Sequence, residues 1–369
     1  MSGRAHAVMY RSMSLRTVFP KNAGFAQTHW PRRWLVHHAP LARFERLAEA
    51  PDLSSPKALL DRMTREGLPL FVERHGEPFH EVEVSSRDPD LFANGATYTC
   101  FGVERFVPAV AELLHEIRSE LDLPSLAPTC HGYISGAGAR IRAHFDRQEN
   151  LAIQLSGKKR WQLADNRTVA FPHENHALGT PPTRALRRLA RAWPTEMPKP
   201  ARTVRMRPGS ALFLPRGMWH TTETLSTSLS LTLIFPVPNW AQTLTSRLLE
   251  RLLLEESFRE PAARSPSGLA ARREEFVSAA RAVCEEGEDR YVLARGVRPH
   301  VRRGRLEAKG VTIALLPRYV PFVRWVVSRD GSFAVTDAPL AAGATIEAAG
   351  ILSFLEAHGI LQRASPAPL

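Results

Sequence analysis

Asp146 precedes His220 by 74 residues, and each sits in a short string that names its own chemistry. The first string is His144-Phe145-Asp146; the second, GSALFLPRGMWH, runs from Gly209 to His220. Period-two alternation along a strand places His144 and Asp146 on one face and Phe145 on the other. Two imidazoles and one carboxylate form a facial ligand set for Fe(II), with the opposite positions left open to a chelating co-substrate and dioxygen. Such a set forms only where the fold carries the two strings to one place. A surface His-x-Asp and an unrelated histidine in a Pro-Gly turn is the plainer reading, and the order of both strings outweighs it.

The flanking residues sharpen this. Gly138 precedes His144 by six positions, Gly157 ends the next apolar run, and the second string spaces Gly209, Pro215, Gly217 and His220 in order. Together they resemble the two motifs of the cupin barrel, with Asp146 where a second histidine is usual. After Asp146, RQENLAIQLSGKKRWQL reads as a strand, a tight Ser156-Gly157 turn and a second strand. Lys159 lies on the second strand, fifteen residues after His144. A lysine facing into a barrel needs an anion, because an unpaired buried ammonium is costly. The distal carboxylate of 2-oxoglutarate supplies one. Lys158 and Arg160 point the other way by parity and read as solvated, and an exposed basic turn is the alternative for all three.

The stretch Ile141 to Leu163, with its lysine offset, and PGSALFLPRGMWH resemble the metal and co-substrate motifs of the JmjC-type Fe(II)/2-oxoglutarate oxygenases. Within them, FAQTHWPRRWLVHHAP (Phe25 to Pro40) resembles the opening segment of the ribosomal oxygenase branch. The resemblance implies that His144, Asp146 and His220 bind iron and that Lys159 anchors 2-oxoglutarate. It also implies that Tyr133 and Asn150 contact the co-substrate, although ribosomal oxygenases often have an apolar residue at the latter. Parity on the strand after His220 puts Ser228, Ser230 and Thr232 on one face, as a polar pocket wall or as solvent-facing hydroxyls. The expected reaction is hydroxylation of an unactivated C–H bond. An arginine or histidine side chain of a protein or peptide, a ribosomal protein among them, is the first candidate. A free amino acid or natural-product intermediate is the second. A cupin isomerase, a cofactor-free binding barrel and a nucleic-acid-binding scaffold are the competing classes.

Composition is that of a globular protein, with 369 residues, 44% apolar and 23% charged. Cys100, Cys130 and Cys284 form no C-x-x-C pair, which points to a reducing cytoplasm. No apolar run reaches membrane-span length, and residues 1 to 20 lack a signal-peptide segment.

The expected fold is mostly β with α: a double-stranded β-helix, then a helical segment and a C-terminal winged-helix-like domain. Residues 1–23 read as a loose tail, 24–237 as the oxygenase domain with its barrel core at about 96–237, 238–287 as helical, and 288–369 as the winged helix. Helical spacing marks Pro56 to Gly67, Val107 to Leu123 and Ile346 to Leu361, the last ending at Gly359. Leucines 244, 248, 249, 252 and 253 form a broad stripe that reads as a core helix or, by the resemblance, a homodimer contact. From Arg290 to Arg329, ten Lys or Arg stand against one Glu, a solvated surface first and a nucleic-acid face second. A second basic stretch, Arg184 to Arg207, borders the expected pocket mouth.

Overall fold

A computed structural model describes residues 13–20, 24–74, 80–82, 92, 95–121, 123, 128–260, 272–285, 290–302, 304–308, 310–315, 319–329, 331–334, 351–352, 354–356 and 358–364. Most of the expected tail, and the start of the helix expected from Ile346, lie outside these. The chain divides into two compact units at Pro236/Val237.

The first unit is built on one antiparallel sheet system of eleven strands. In chain order these are β1 (Leu35–His37), β2 (Leu70–Glu73), β3 (His80–Val82), β4 (Thr97–Phe101), β5 (Thr129–Ser135), β6 (Arg140–Phe145), β7 (Glu149–Ala164), β8 (His176–Ala177), β9 (Arg202–Met206), β10 (Ala211–Leu214) and β11 (Trp219–Phe235). β7 and β11 run antiparallel along their whole length, from Trp219 opposite Ala164 to Phe235 opposite Glu149. Each serves two sheets. The first half of β7 also pairs with β10 and its second half with β9. The first half of β11 pairs with β6 and its second half with β5. Two sheets sharing two long bent strands make a jelly-roll of the cupin kind.

This corrects the reading of Ser156-Gly157 as a reversing turn. The chain does not reverse there; it bends within one sixteen-residue strand. Gly157 has φ +69°, and a Cβ on it would lie 2.2 Å from Thr227 O. The register with β11 slips around Ser226 and Leu229, so extra residues are absorbed as bulges that turn both strands together.

Outside the sheets, Ser55 caps the helix Pro56–Arg65 by accepting from Ala58 N at 3.1 Å, and Leu59, Leu60 and Met63 are buried. The helix Pro108–Glu120 buries Val110, Leu113, Leu114 and Ile117. In the N-terminal segment, Phe25 and Trp30 lie 5.1 and 5.3 Å from Phe213 of β10, ring to ring, and β1 adds an edge strand beside β10.

The second unit opens with the helix Trp240–Leu252, capped reciprocally by Asn239 and Gln242, which packs on the helix Arg273–Glu285. Two three-stranded sheets come next. Arg290–Leu293 is flanked by Phe333–Ala334 and Leu361–Arg363; His300–Arg302, Arg305–Ala308 and Val311–Ala314 form the other. Phe322, Val323 and Val326 of the helix Val320–Val327 share a buried core with Tyr291, Leu306, Leu352 and Leu361. Gly359 has φ +62°, as a left-handed helix stop requires. Among the described residues no helix is long and apolar enough to cross a membrane.

Candidate metal centre

β6 delivers His144, the residue just past its end is Asp146, and β11 delivers His220. His144 and His220 sit directly opposite in the β6–β11 ladder. One ligand atom from each of the three residues lies within 4.8 Å of the others. The imidazole centroids are 4.1 Å apart, and His220 Nε2 is 3.7 Å from Asp146 Oδ2.

The hydrogen bonds around the rings settle which nitrogen is free. His144 Nδ1 is 2.8 Å from the carbonyl of Arg142, and His220 Nδ1 is 2.9 Å from that of Met218. A carbonyl only accepts, so in the neutral rings Nδ1 carries the proton and Nε2 presents a lone pair. Burial holds the His220 imidazole down to about 4, with His144 adding to the effect, so at neutral pH the ring is unprotonated. Asn150, on β7, donates from Nδ2 to Asp146 Oδ2 at 2.6 Å and so orients the single carboxylate. Its Oδ1 is buried with no partner. Two neutral imidazoles and an oriented carboxylate suit a first-row divalent ion.

The turn carrying His220 is fastened from two sides. Gly217, at φ +82°, donates its N–H to Asp146 O at 2.7 Å. Arg216 meets Glu149 with both prongs, at 2.7 and 3.1 Å, and both side chains are buried. The Trp161 ring stacks on His220 with centroids 5.8 Å apart.

Lys159 faces inward from β7 and is 2% exposed. Its Nζ donates to Ser230 Oγ at 3.1 Å and lies 5.7 Å from the centre of the Tyr133 ring. No carboxylate pairs with it among the described residues, and burial pulls it down to about 7. Lys158 is exposed, and Arg160 binds Glu223 on the outer face, as parity requires. Burial, with Asp146 next, pushes the Tyr133 hydroxyl well above its ordinary range. Ser228, Ser230 and Thr232 stand opposite Ser135, Tyr133 and His131 of β5. Ser228 and Ser230 are buried and Thr232 half-buried, so the row is not one of solvent-facing hydroxyls.

Four neighbouring residues were not singled out from the sequence. His131, two positions before Tyr133 on the same face, is lowered to about 4 by burial against the pull of Asp146. Strand parity from Tyr133 was the available signal. The Arg216–Glu149 pair and the stacked Trp161 had none, since each depends on partners more than fifty residues away.

Residues 110–243 match the family model of the JmjC domain, a span that includes the ligand set and Lys159. That stretch of the chain is similar to a JmjC domain. It is 27% identical over 248 residues to the uncharacterized protein YxbC of Bacillus subtilis (strain 168), covering 64% of this chain and 74% of that one. Among solved structures it is similar to E. coli ycfD, with TM-score 0.48 and 16% identity over 92% of this chain and 97% of that chain. A second structure of YcfD, described as a ribosomal oxygenase from Escherichia coli in complex with cobalt and 2-oxoglutarate, gives TM-score 0.46 and 16% identity over the same shares.

Proposed function

We propose that the chain is an Fe(II)- and 2-oxoglutarate-dependent hydroxylase whose substrate is an amino-acid side chain, arginine or histidine, of a protein or peptide. The observation that carries this reading is Lys159. A buried ammonium that meets Ser230 and the face of Tyr133, and no carboxylate among the described residues, calls for one. A dicarboxylate that reaches from there toward the His144–Asp146–His220 set satisfies both ends of the pocket. His144, Asp146 and His220 hold the ion, Asn150 keeps Asp146 turned, and Lys159 and Ser230 grip the far carboxylate. Tyr133, His131 and Thr232 line the wall between. Bound iron, with 2-oxoglutarate and dioxygen, supplies the oxidising chemistry that leaves a hydroxylated product, succinate and carbon dioxide. The protein's part is to orient these groups and keep water away, and no acid–base pair is needed.

Succinate formation on adding Fe(II) and 2-oxoglutarate tests the chemistry before any substrate is known. A search for +16 products in cells with and without the gene then names the substrate. Absence of both would leave a cupin binding protein. The JmjC resemblance adds a ribosomal protein as the first substrate to examine, a homodimer through 238–287, and a winged helix at 288–369. The helix Val320–Val327 sharing a core with flanking strands supports that last assignment. Cys100 and Cys130 are free buried thiols, in keeping with a reducing cytoplasm.

A further inference from the structure

Between β7 and β9 the chain makes an excursion, residues 165–201, that adds only the two-residue strand β8 to the sheet. It is nonetheless fastened to the metal strand. Ala177 and His176 of β8 pair with His144 and Phe145. The Arg147 N–H donates to Asn175 Oδ1 at 2.9 Å. Trp193 packs edge-on against His176 with centroids 4.8 Å apart, and its indole N–H donates to Ala190 O. Pro172 fills the space beside Gly217, whose N–H holds Asp146 O.

Two features of this collar are turned toward solvent. Phe171 has φ +48° and is the one non-glycine with positive φ among the described residues. A bulky side chain held there costs free energy, yet its ring is 59% exposed and stabilises no core. Arg32 lies over the ring at 5.9 Å. The second feature is the row of arginines on and just beyond the short helix Arg184–Arg187. Leu186 is fully buried, while Arg184, Arg187, Arg188 and Arg191 are exposed and none is ion-paired among the described residues. The whole excursion carries six Lys or Arg against three Asp or Glu.

We propose that this collar docks an unpaired RNA strand, with a base stacked on Phe171 and phosphates on Arg184, Arg187, Arg188 and Arg191. An exposed aromatic ring and exposed guanidiniums without carboxylate partners, carried on one excursion, are the combination that holds single-stranded nucleic acid. Arginine suits phosphate because its fork is planar and always charged. A four-residue helix is too short to read a duplex groove. The role of the RNA, to present a bound protein segment to the metal pocket, rests on the hydroxylase reading; the docking itself does not.

The test is fluorescence anisotropy of a labelled oligouridine of about 15 nucleotides against the full chain, without iron or 2-oxoglutarate. With four phosphate contacts the slope of log affinity against log salt should be about −3, and in the variant with all four arginines changed to glutamate it should fall toward zero. Phe171→Gly should weaken binding by about tenfold. Glycine accepts the left-handed backbone, so this variant should melt no lower than the parent, and a loss of RNA binding cannot then be misfolding. Binding retained in both variants overturns the proposal, as does equal competition by polyglutamate or equal affinity for oligothymidine or phosphatidylserine vesicles. Oligouridine binding by a protein that makes no succinate would sink the hydroxylase and leave the collar standing.

Discussion

At the scale of single residues, the ligand set leads to a measurement of metal and not only of turnover. His144→Ala, Asp146→Ala or His220→Ala should each abolish the visible absorbance of bound Co(II). Asn150→Leu should keep binding but weaken it by about 10- to 100-fold, the usual effect of removing a group that orients a ligand. An unchanged cobalt titration in Asn150→Leu would mean that Asp146 is held without it. Lys159 makes a prediction about pH. Its folded value, about 7, is below the ordinary 10.5, so between these the unfolded chain binds more protons than the folded one. Stability of the ligand-free protein should therefore rise from about pH 7 to 10, and Lys159→Met should flatten that rise and stabilise the protein at pH 7. Urea titrations at several pH values check this. In calorimetry near pH 8, 2-oxoglutarate should bind with proton uptake in the parent and bind poorly, with none, in Lys159→Met. His144, Asp146, His220 and Lys159 were legible because strand parity and turn residues act over a few positions. Asn150 was legible as a polar pocket residue but not as the partner of Asp146, a contact that parity does not specify.

At the scale of elements, the bend in β7 was the part misread. Ser-Gly is a turn dipeptide, and a left-handed glycine serves a hairpin or a bulge equally well. Only the pairing of β11 along both halves decides between them, and that partner starts more than sixty residues further on. Gly157→Ala should be severe, since it adds strain at φ +69° and a Cβ against Thr227 O. A loss of about 2 to 4 kcal/mol is expected from the strain and overlap together. Because the bend also aims Lys159, thermal melts should show weaker stabilisation by 2-oxoglutarate in this variant than in the parent. A full ligand-induced shift would mean that the bend and the anchor are independent. The helices at Pro56 and Val107 were legible from spacing and proline, since each needs only a buried stripe and a start signal.

At the scale of the molecule, the leucine stripe divides. Leu248 and Leu252 are half-buried in the second unit, on the helix that packs against Arg273–Glu285, whereas Leu244, Leu249, Leu253 and Leu254 are 43 to 68% exposed and Trp240 is 80% exposed. Phe276 and Val277 are exposed on the second helix. An apolar face of this extent is a liability in a free monomer and suits a two-fold contact. Leu249→Asp with Leu253→Asp should give folded monomers by light scattering, and a parent already monomeric at micromolar concentration would remove the dimer. The stripe was visible in the sequence, but which leucines face inward was not, because helical spacing alone does not show where the neighbouring helix lies.

The attachment of the collar has a further consequence. His144 and Asp146 come from β6 and its end, and His220 and Lys159 from the shared strands β11 and β7, while residues 165–201 run from β7 to β9 without contributing a ligand. Recognition and chemistry are thus separable heritable units. Grafting the excursion of one JmjC relative onto another should transplant a binding preference and leave the iron unmoved.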